Sequence, residues 1–198
     1  PLHNINRLCL SAIYNQEAIL NPFMANSVSS PLRLFNLNLS AIGPDGSHTI
    51  EVGGLMKGLK SLLPHVTKEV YFNYLVVSGE DLSQIVKASS NLERLSFVVS
   101  KILTSDSLDF SSTSQSKLEY LSFNACAYHN WCNMEWDKYP DRFEKIVVAI
   151  KNSSLKDSLK TLNVRKCKIS SSKVGEQLAA HGLSHINLGE EDNDPLSE

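Results

Sequence analysis

The chain has 198 residues, of which 42% are hydrophobic and 20% charged, a composition typical of ordinary globular proteins. The net charge is −2, and residues 1–189, with 19 bases and 16 acids, carry +3, which is too weak and too scattered to indicate a nucleic-acid surface. No apolar run reaches the roughly 18–20 residues of a membrane span. Four cysteines are too few for a disulfide-stapled secreted fold of this length, so we favour an intracellular, reducing compartment.

A short pattern, apolar-x-x-apolar-x-apolar, recurs along the chain. Its middle residues stand at positions 8, 37, 70, 95, 121, 162 and 186. Most of the spacings between them fall in the range of roughly 20–29 residues that short strand-containing repeats occupy. Each copy has the length of a strand, and polar residues alternate with its apolar anchors. The pattern therefore predicts seven short strands, each with one buried and one polar face.

The segments between the predicted strands carry helical signals. Helices are predicted over 52–63, 80–86 and 141–150, and over 171–182, where Gly182 is typical of a helix C-terminus. The Ser-rich segment 105–116 is predicted to be irregular or a 3₁₀ turn. Strands that alternate with helices through right-handed crossovers predict a parallel sheet with helices outside it.

One copy of the pattern, residues 159–169, reads LKTLNVRKCKI and fits L-x-x-L-x-L-x-x-[NC]-x-L at every defined position. The copy before it has Cys126 at the same Asn/Cys position. In these residues the chain resembles the leucine-rich-repeat family, in particular its ribonuclease-inhibitor-like and cysteine-containing branch, over about residues 5–189. The resemblance implies an α/β solenoid of about seven strand-helix repeats, with a parallel concave sheet and convex helices.

A doubly wound α/β domain is the rival interpretation, since it also alternates strands and helices. Its parallel strands are usually buried on both faces and are apolar throughout. The residues between the anchors here are polar, for example Arg94, Tyr120 and Asn163. The open polar face favours the solenoid.

The most metal-like cluster in the sequence is Cys126-x-x-His129-x-x-Cys132, with Cys167 as a possible fourth ligand. Structural zinc sites usually draw paired ligands from two places, whereas only one compact group exists here. Cys126 and Cys167 are predicted on neighbouring strands, about 5 Å apart, where free thiols are favoured over a disulfide. We therefore predict no metal, and keep a zinc protein or a hydrolase that uses this cluster as the less favoured alternative.

Signatures of catalysis and of cofactor binding are missing from the sequence. No G-x-S-x-G nucleophile elbow is present, and the glycines at 53, 54 and 58 do not form a phosphate-binding loop. We therefore predict a protein that is not an enzyme, with no catalytic residues and no cofactor.

The side chains that alternate with the buried anchors are expected to form polar rows across the concave face. In the predicted register, His185 ends the first row and Asn187 the second. Aromatic and arginine side chains near the middle of the rows suit a protein contact. The predicted partner-binding residues on this face are Tyr71, Arg94, Tyr120, Asn124, Asn163 and Arg165. A sheet face can also be polar simply because it is exposed to solvent, so a binding face and an ordinary solvated face both remain open interpretations.

The fifth repeat is 41 residues long and carries an extra loop, 127–140, that is rich in aromatic residues. The loop contains both tryptophans of the chain, Trp131 and Trp136, which we predict to contact a partner. The alternative is that these rings pack against their own solenoid.

The final residues, 190–198, hold five acids and no base and are expected to form a mobile acidic tail. Residues 1–189 are expected to form one solenoid, either complete or a fragment of a longer chain. The predicted function is a non-enzymatic protein-interaction module or a structural subunit of a multi-subunit complex, with a protein partner, no nucleic acid and no membrane span. By resemblance, the alternative role is the recognition part of a ubiquitin-ligase or sensor-type complex.

Overall fold

The structure, a computed structural model, describes residues 4–11, 33–40, 50–98, 100–103, 108–111, 115–124, 140–165, 167 and 169–189. Residues 127–139 of the predicted aromatic loop and the acidic segment 190–198 lie outside these ranges. Within them the chain adopts an α/β fold with two parallel sheets. The described helices include none that is long and apolar enough to cross a membrane.

The strands of the two sheets follow each other along the chain. They are β1 (Asn4–Ser11), β2 (Arg33–Ser40), β3 (Ile50–Glu51), β4 (Val66–Asn73), β5 (Leu75–Ser78), β6 (Arg94–Val98), β7 (Lys101–Leu103), β8 (Tyr120–Asn124), β9 (Thr161–Asn163) and β10 (Asn187–Leu188). The larger sheet has seven parallel strands in the order β1-β2-β4-β6-β8-β9-β10. The smaller sheet joins β3, β5 and β7, also in parallel.

The predicted parallel sheet of seven strands is confirmed. The apolar anchors at positions 8, 37, 70, 95, 121 and 162 are register partners on neighbouring strands. The five of these anchors from Leu37 to Leu162 are fully buried. The alternation of apolar and polar residues therefore places one side of β2, β4, β6, β8 and β9 in the core, as a period of two requires.

The seventh strand begins later along the chain than predicted, so that prediction was wrong in register. Leu188, rather than Ile186, pairs with Leu162. The cause is a turn before the strand, in which the Ile186 amide donates to the carbonyl of Leu183 at 3.0 Å. Leu183 and Ile186 remain buried although neither lies in the strand.

This shift corrects two row assignments. Asn187 lies in the first polar row, beside Thr161, and not in the second. His185 precedes the strand, and its Nε2 lies 2.8 Å from the carbonyl oxygen of Lys156. A strand of two residues contributes few ladder hydrogen bonds, so the turn before it decides the register.

Three phenylalanines in register form a stack inside the core. Phe72 and Phe97 have ring centroids 5.4 Å apart, and Phe97 and Phe123 have centroids 5.6 Å apart. The rings of each pair are nearly parallel, at 22° and 9°. Aromatic pairs at these separations add to the gain from burial alone. The stack joins β4, β6 and β8 on the buried face.

The helices supply the apolar side chains that cover this face. They are α1 (Met56–Leu62), α2 (Gly79–Ala88), α3 (Pro140–Lys151), α4 (Leu155–Ser158) and α5 (Ser171–Ala180). The four predicted helical segments correspond to α1, α2, α3 and α5. The N-terminus of α2 is a capping box, in which Ser78 accepts from the Asp81 amide at 3.0 Å and Asp81 accepts from the Ser78 amide. Gly182, just past α5, has φ +75°, as expected for a C-terminal glycine.

The smaller sheet was not predicted. Tyr74, with φ 59°, turns the chain between β4 and β5, so the second strand follows directly on the first. The backbone amide of Tyr74 donates to the carbonyl of Val98 at 3.1 Å. Strands of two to four residues are too short to show a period in the sequence.

A hydrogen bond recurs at equivalent positions of two strand units. Ser100 Oγ lies 3.2 Å from the Phe72 carbonyl, which belongs to the preceding strand unit. Cys167 Sγ lies 2.7 Å from the carbonyl of Phe123, again in the preceding unit. Both Ser100 and Cys167 are buried and stand three residues after the last anchor of their strand. Each therefore satisfies a backbone acceptor that the parallel ladder leaves at the strand end.

Candidate functional site

The face of the larger sheet opposite the phenylalanine stack carries three rows of side chains in register, which we call the polar face. The first row is Arg7, Asn36, Glu69, Arg94, Tyr120, Thr161 and Asn187. The second row is Cys9, Asn38, Tyr71, Ser96, Ser122 and Asn163. The third row is Ser40, Asn73, Val98 and Asn124.

Arg94 is held between two neighbours in the first row. Its Nε donates to Glu69 Oε1 at 3.1 Å, and its Cζ lies 3.9 Å from the centroid of the Tyr120 ring. The Arg94 side chain is 49% exposed, whereas that of Glu69 is 19% exposed. A guanidinium stacked on a ring and bonded at one nitrogen has little rotational freedom left. The arrangement therefore presents a fixed positive group at the surface.

Tyr71 lies beside this pair in the second row. The pKa of Tyr71 is raised from 10.0 to about 12, first by partial burial and then by the hydrogen bond to Glu69 and that residue's negative charge, against the opposing charge of Arg94. Burial disfavours the charged phenolate, and a carboxylate that accepts the phenol proton stabilises the neutral form. Tyr71 is therefore a neutral donor to Glu69 at ordinary pH.

Asn163 continues the cluster on the other side of Tyr120. Its Nδ2 donates to Tyr120 Oη at 3.1 Å, and its Oδ1 accepts from the Arg165 amide at 2.9 Å. Asn163 is only 9% exposed. A Cβ on Gly189 would lie 2.9 Å from the Asn163 Cβ, so a glycine is required where β10 meets β9. The Asn163 amide thus positions both the tyrosine, through Nδ2, and the turn, through Oδ1.

The five residues Tyr71, Glu69, Arg94, Tyr120 and Asn163 form one connected unit, which we call the Arg94 cluster. Beneath it, Ser96 and Ser122 are 4% and 3% exposed although they lie on the polar face. Small side chains at these two positions leave room for the larger residues around them. The cluster offers a guanidinium, two aromatic rings and hydroxyl groups, which are the groups enriched in protein contacts.

The structure brings together four of the predicted site residues: Tyr71, Arg94, Tyr120 and Asn163. Asn124 lies in the third row at the end of β8, and Arg165 follows β9. Trp131 and Trp136 lie outside the described residues. Sequence reasoning did not single out Glu69, although opposite charges on neighbouring strands at Glu69 and Arg94 were a usable signal.

The cysteine and histidine candidates are placed only in part. Cys126, His129 and Cys132 lie outside the described residues, and Cys167 is buried with its Sγ 2.7 Å from the carbonyl oxygen of Phe123. In the part of the chain that the structure describes, no group of three or more His, Cys, Asp or Glu residues could hold a metal ion.

Comparisons of this chain with models of protein families, with curated proteins and with solved structures found no match. The geometry of the polar face is therefore the basis for the proposed function.

Proposed function

We propose that this chain is a solenoid of the leucine-rich-repeat type that binds a protein partner through the polar face. The observation that carries the proposal is the Arg94 cluster, a fixed set of interacting groups at the surface of a parallel sheet. Binding loses less entropy when the contacting side chains are already ordered. Tyr71, Arg94 and Tyr120 are thus the anchors of the proposed interface.

Two features of the fold support the solenoid. The strands of the larger sheet follow chain order without a reversal, whereas a doubly wound sheet reverses its strand order at a switch point. The bonds of Ser100 and Cys167 to the preceding strand unit repeat one contact along the chain. Contacts that repeat between neighbouring units are what a solenoid needs, because each unit is stable only against the next.

The proposed interface can be tested by affinity enrichment of the partner from the cells that make this protein. The tagged parent chain is compared with Arg94→Ala and Tyr120→Ala, and with Lys151→Ala, which changes an exposed side chain on α3. We expect the enriched partner to be lost with the two cluster variants and kept with the Lys151 variant. Circular dichroism of each variant is the control that its folded fraction matches that of the parent.

A partner that is enriched equally by all four proteins would contradict the proposed interface. Alanine at a hot-spot position costs about 2 kcal/mol or more of binding, which is roughly thirtyfold in Kd.

A second candidate is a structural subunit that joins a larger assembly at the edge formed by β1. Leu8 and Leu10 are only partly buried, whereas their register partners Leu37 and Leu39 are fully buried. A further strand beside β1 would cover them. Cys9 is an exposed free thiol on this strand, so a thiol-directed crosslinker should capture such a subunit from native material and should fail with Cys9→Ser. An unchanged pattern of crosslinks in Cys9→Ser would remove this candidate.

A further inference from the structure

We infer that the partner segment bound by the polar face is acidic, with one carboxylate against Arg94 and a second near Arg165. This inference rests on the proposed function and specifies the chemistry of its partner.

The orientation of Arg94 leaves most of its donors for a ligand. Its Nε donates a hydrogen bond to Glu69, and no acceptor among the described residues lies within hydrogen-bonding distance of its two terminal nitrogens. Glu69 lies on one neighbouring strand and the Tyr120 ring on the other, so the guanidinium is held in place from both sides. A fixed, half-exposed guanidinium matches the two oxygens of a carboxylate, which it can bind through two parallel hydrogen bonds.

The charges of the polar face favour an acidic ligand. Three arginines, Arg7, Arg94 and Arg165, lie in or just beyond the rows, and Glu69 is the one acid among the described row residues. The face therefore carries an excess of positive charge. Complementary charge accelerates encounter and disfavours wrong partners, and both effects weaken as salt increases.

The positions of the two arginines set the spacing of the carboxylates. Arg94 lies on β6 and Arg165 follows β9, with β8 between them. Two steps of about 4.8 Å between strands separate their backbones by about 10 Å across the sheet. Thr161 is level with Arg94, and Arg165 follows Thr161 by four residues, which adds about 13 Å along the strand direction. An extended peptide covers the resulting distance of about 16 Å in about five residues. The partner segment is therefore expected to carry acids about four to five positions apart, with β8 crossed between the two contacts.

A peptide with the sequence of residues 190–198, EEDNDPLSE, is a suitable probe, because it contains acids four positions apart at Glu190, Asp194 and Glu198. The measurement uses the full chain with its own five acids in this segment replaced by amides, so that the segment cannot compete. Binding of the fluorescent peptide is followed by anisotropy at low and at physiological salt. A peptide with Gln and Asn in place of Glu and Asp is the matched control ligand.

We expect the acidic peptide to bind about tenfold more tightly than the amide peptide, with the difference decreasing at higher salt. In the chain with the replaced acids, Arg94→Gln should weaken binding of the acidic peptide about fivefold or more. Arg165→Gln should weaken this binding less, and Lys151→Gln should leave it unchanged. Equal binding of the two peptides, or full binding by Arg94→Gln, would overturn the inference.

The inference and the proposed function can fail separately. If Tyr120→Ala loses the natural partner but the chain binds the acidic and amide peptides equally, the polar face binds a protein and the inference that the bound segment is acidic is wrong. If the natural partner is unaffected by both cluster variants, the proposed function itself is wrong.

Discussion

The two faces of the larger sheet have the same strands and opposite chemistry. On the buried face, Phe72, Phe97 and Phe123 stack in the core with at most 1% of their surface exposed. On the polar face, Arg94 and Tyr120 make directional contacts and stay partly exposed. Burial of apolar area stabilises the first face, whereas hydrogen bonds and an ion pair organise the second.

For the proposed interface, the difference predicts that stability and binding are separable in this chain. Each strand contributes side chains to both faces, so neighbouring positions on one strand should respond to substitution in opposite ways. A change on the buried face should lower the free energy of unfolding, and a change on the polar face should mainly affect binding. Four measurements can sharpen or break this contrast.

The largest expected effect is that of Phe97→Ala on the buried face. Phe97 lies between two other rings, so its removal leaves a cavity that neither neighbour can fill without moving. The free energy of unfolding should decrease by about 3–5 kcal/mol, as for buried phenylalanines in general. Urea denaturation followed by circular dichroism measures the change. A loss below about 1 kcal/mol would show that the core is less tightly packed at this position.

Gly189→Ala should have the next largest effect, because it crowds the end of the polar face. The added Cβ would lie 2.9 Å from the Asn163 Cβ and 3.1 Å from its Cγ. We expect a loss of about 1–3 kcal/mol, together with a weaker Asn163–Tyr120 hydrogen bond. Thermal melting and the chemical shifts of the Tyr120 ring report the two consequences.

Gly175→Ala is the matched control, since a Cβ at Gly175 would meet nothing within 4 Å and the residue lies in α5. It should raise stability by up to about 1 kcal/mol, because alanine has a higher helix propensity than glycine. If both glycine variants melt like the parent, the close approach at Gly189 does not constrain the strand end.

The third expected effect is the dependence of stability on pH through Tyr71. Its pKa is raised from 10.0 to about 12 in the folded protein, so the folded state holds the phenol proton more tightly than the unfolded state does. The resulting stabilisation is complete below pH 10 and is lost as the pH rises towards about 12. Tyr71→Phe removes this contribution, so its stability should fall less steeply with alkaline pH than that of the parent.

Denaturation curves of both proteins at several pH values between 9 and 11 test this, and the absorbance of tyrosinate reports ionisation directly. Parallel decreases in stability for parent and variant would mean that the environment of Tyr71 does not favour its neutral form.

Arg94→Gln should have the smallest effect on stability. The ion pair with Glu69 is exposed on the arginine side, and such pairs contribute about 0–1 kcal/mol. The same variant is expected to lose the partner, so the ratio of binding effect to stability effect is largest at this position. A destabilisation comparable to that of Phe97→Ala would erase the distinction between the two faces.

Several elements could be predicted from the sequence because their signals are local. Leu95, Leu121 and Leu162 alternate with polar residues at a period of two, which places them on the buried face whatever their neighbours are. The helix that begins at Gly79 has acids in its first turn and apolar residues at helical spacing. Tyr71, Arg94 and Tyr120 were placed on one face by the same alternation.

Other features depend on residues far apart in the chain, and only the tertiary structure decided them. The register of β10 depends on the turn that follows α5, and the smaller sheet depends on the backbone of Tyr74. Glu69 became part of the site because it lies between Tyr71 and Arg94 in space. Period and composition determine which face a side chain occupies, since that choice is made within one strand. Which side chains meet across strands depends on register, and register is set by turns and packing that no single segment contains.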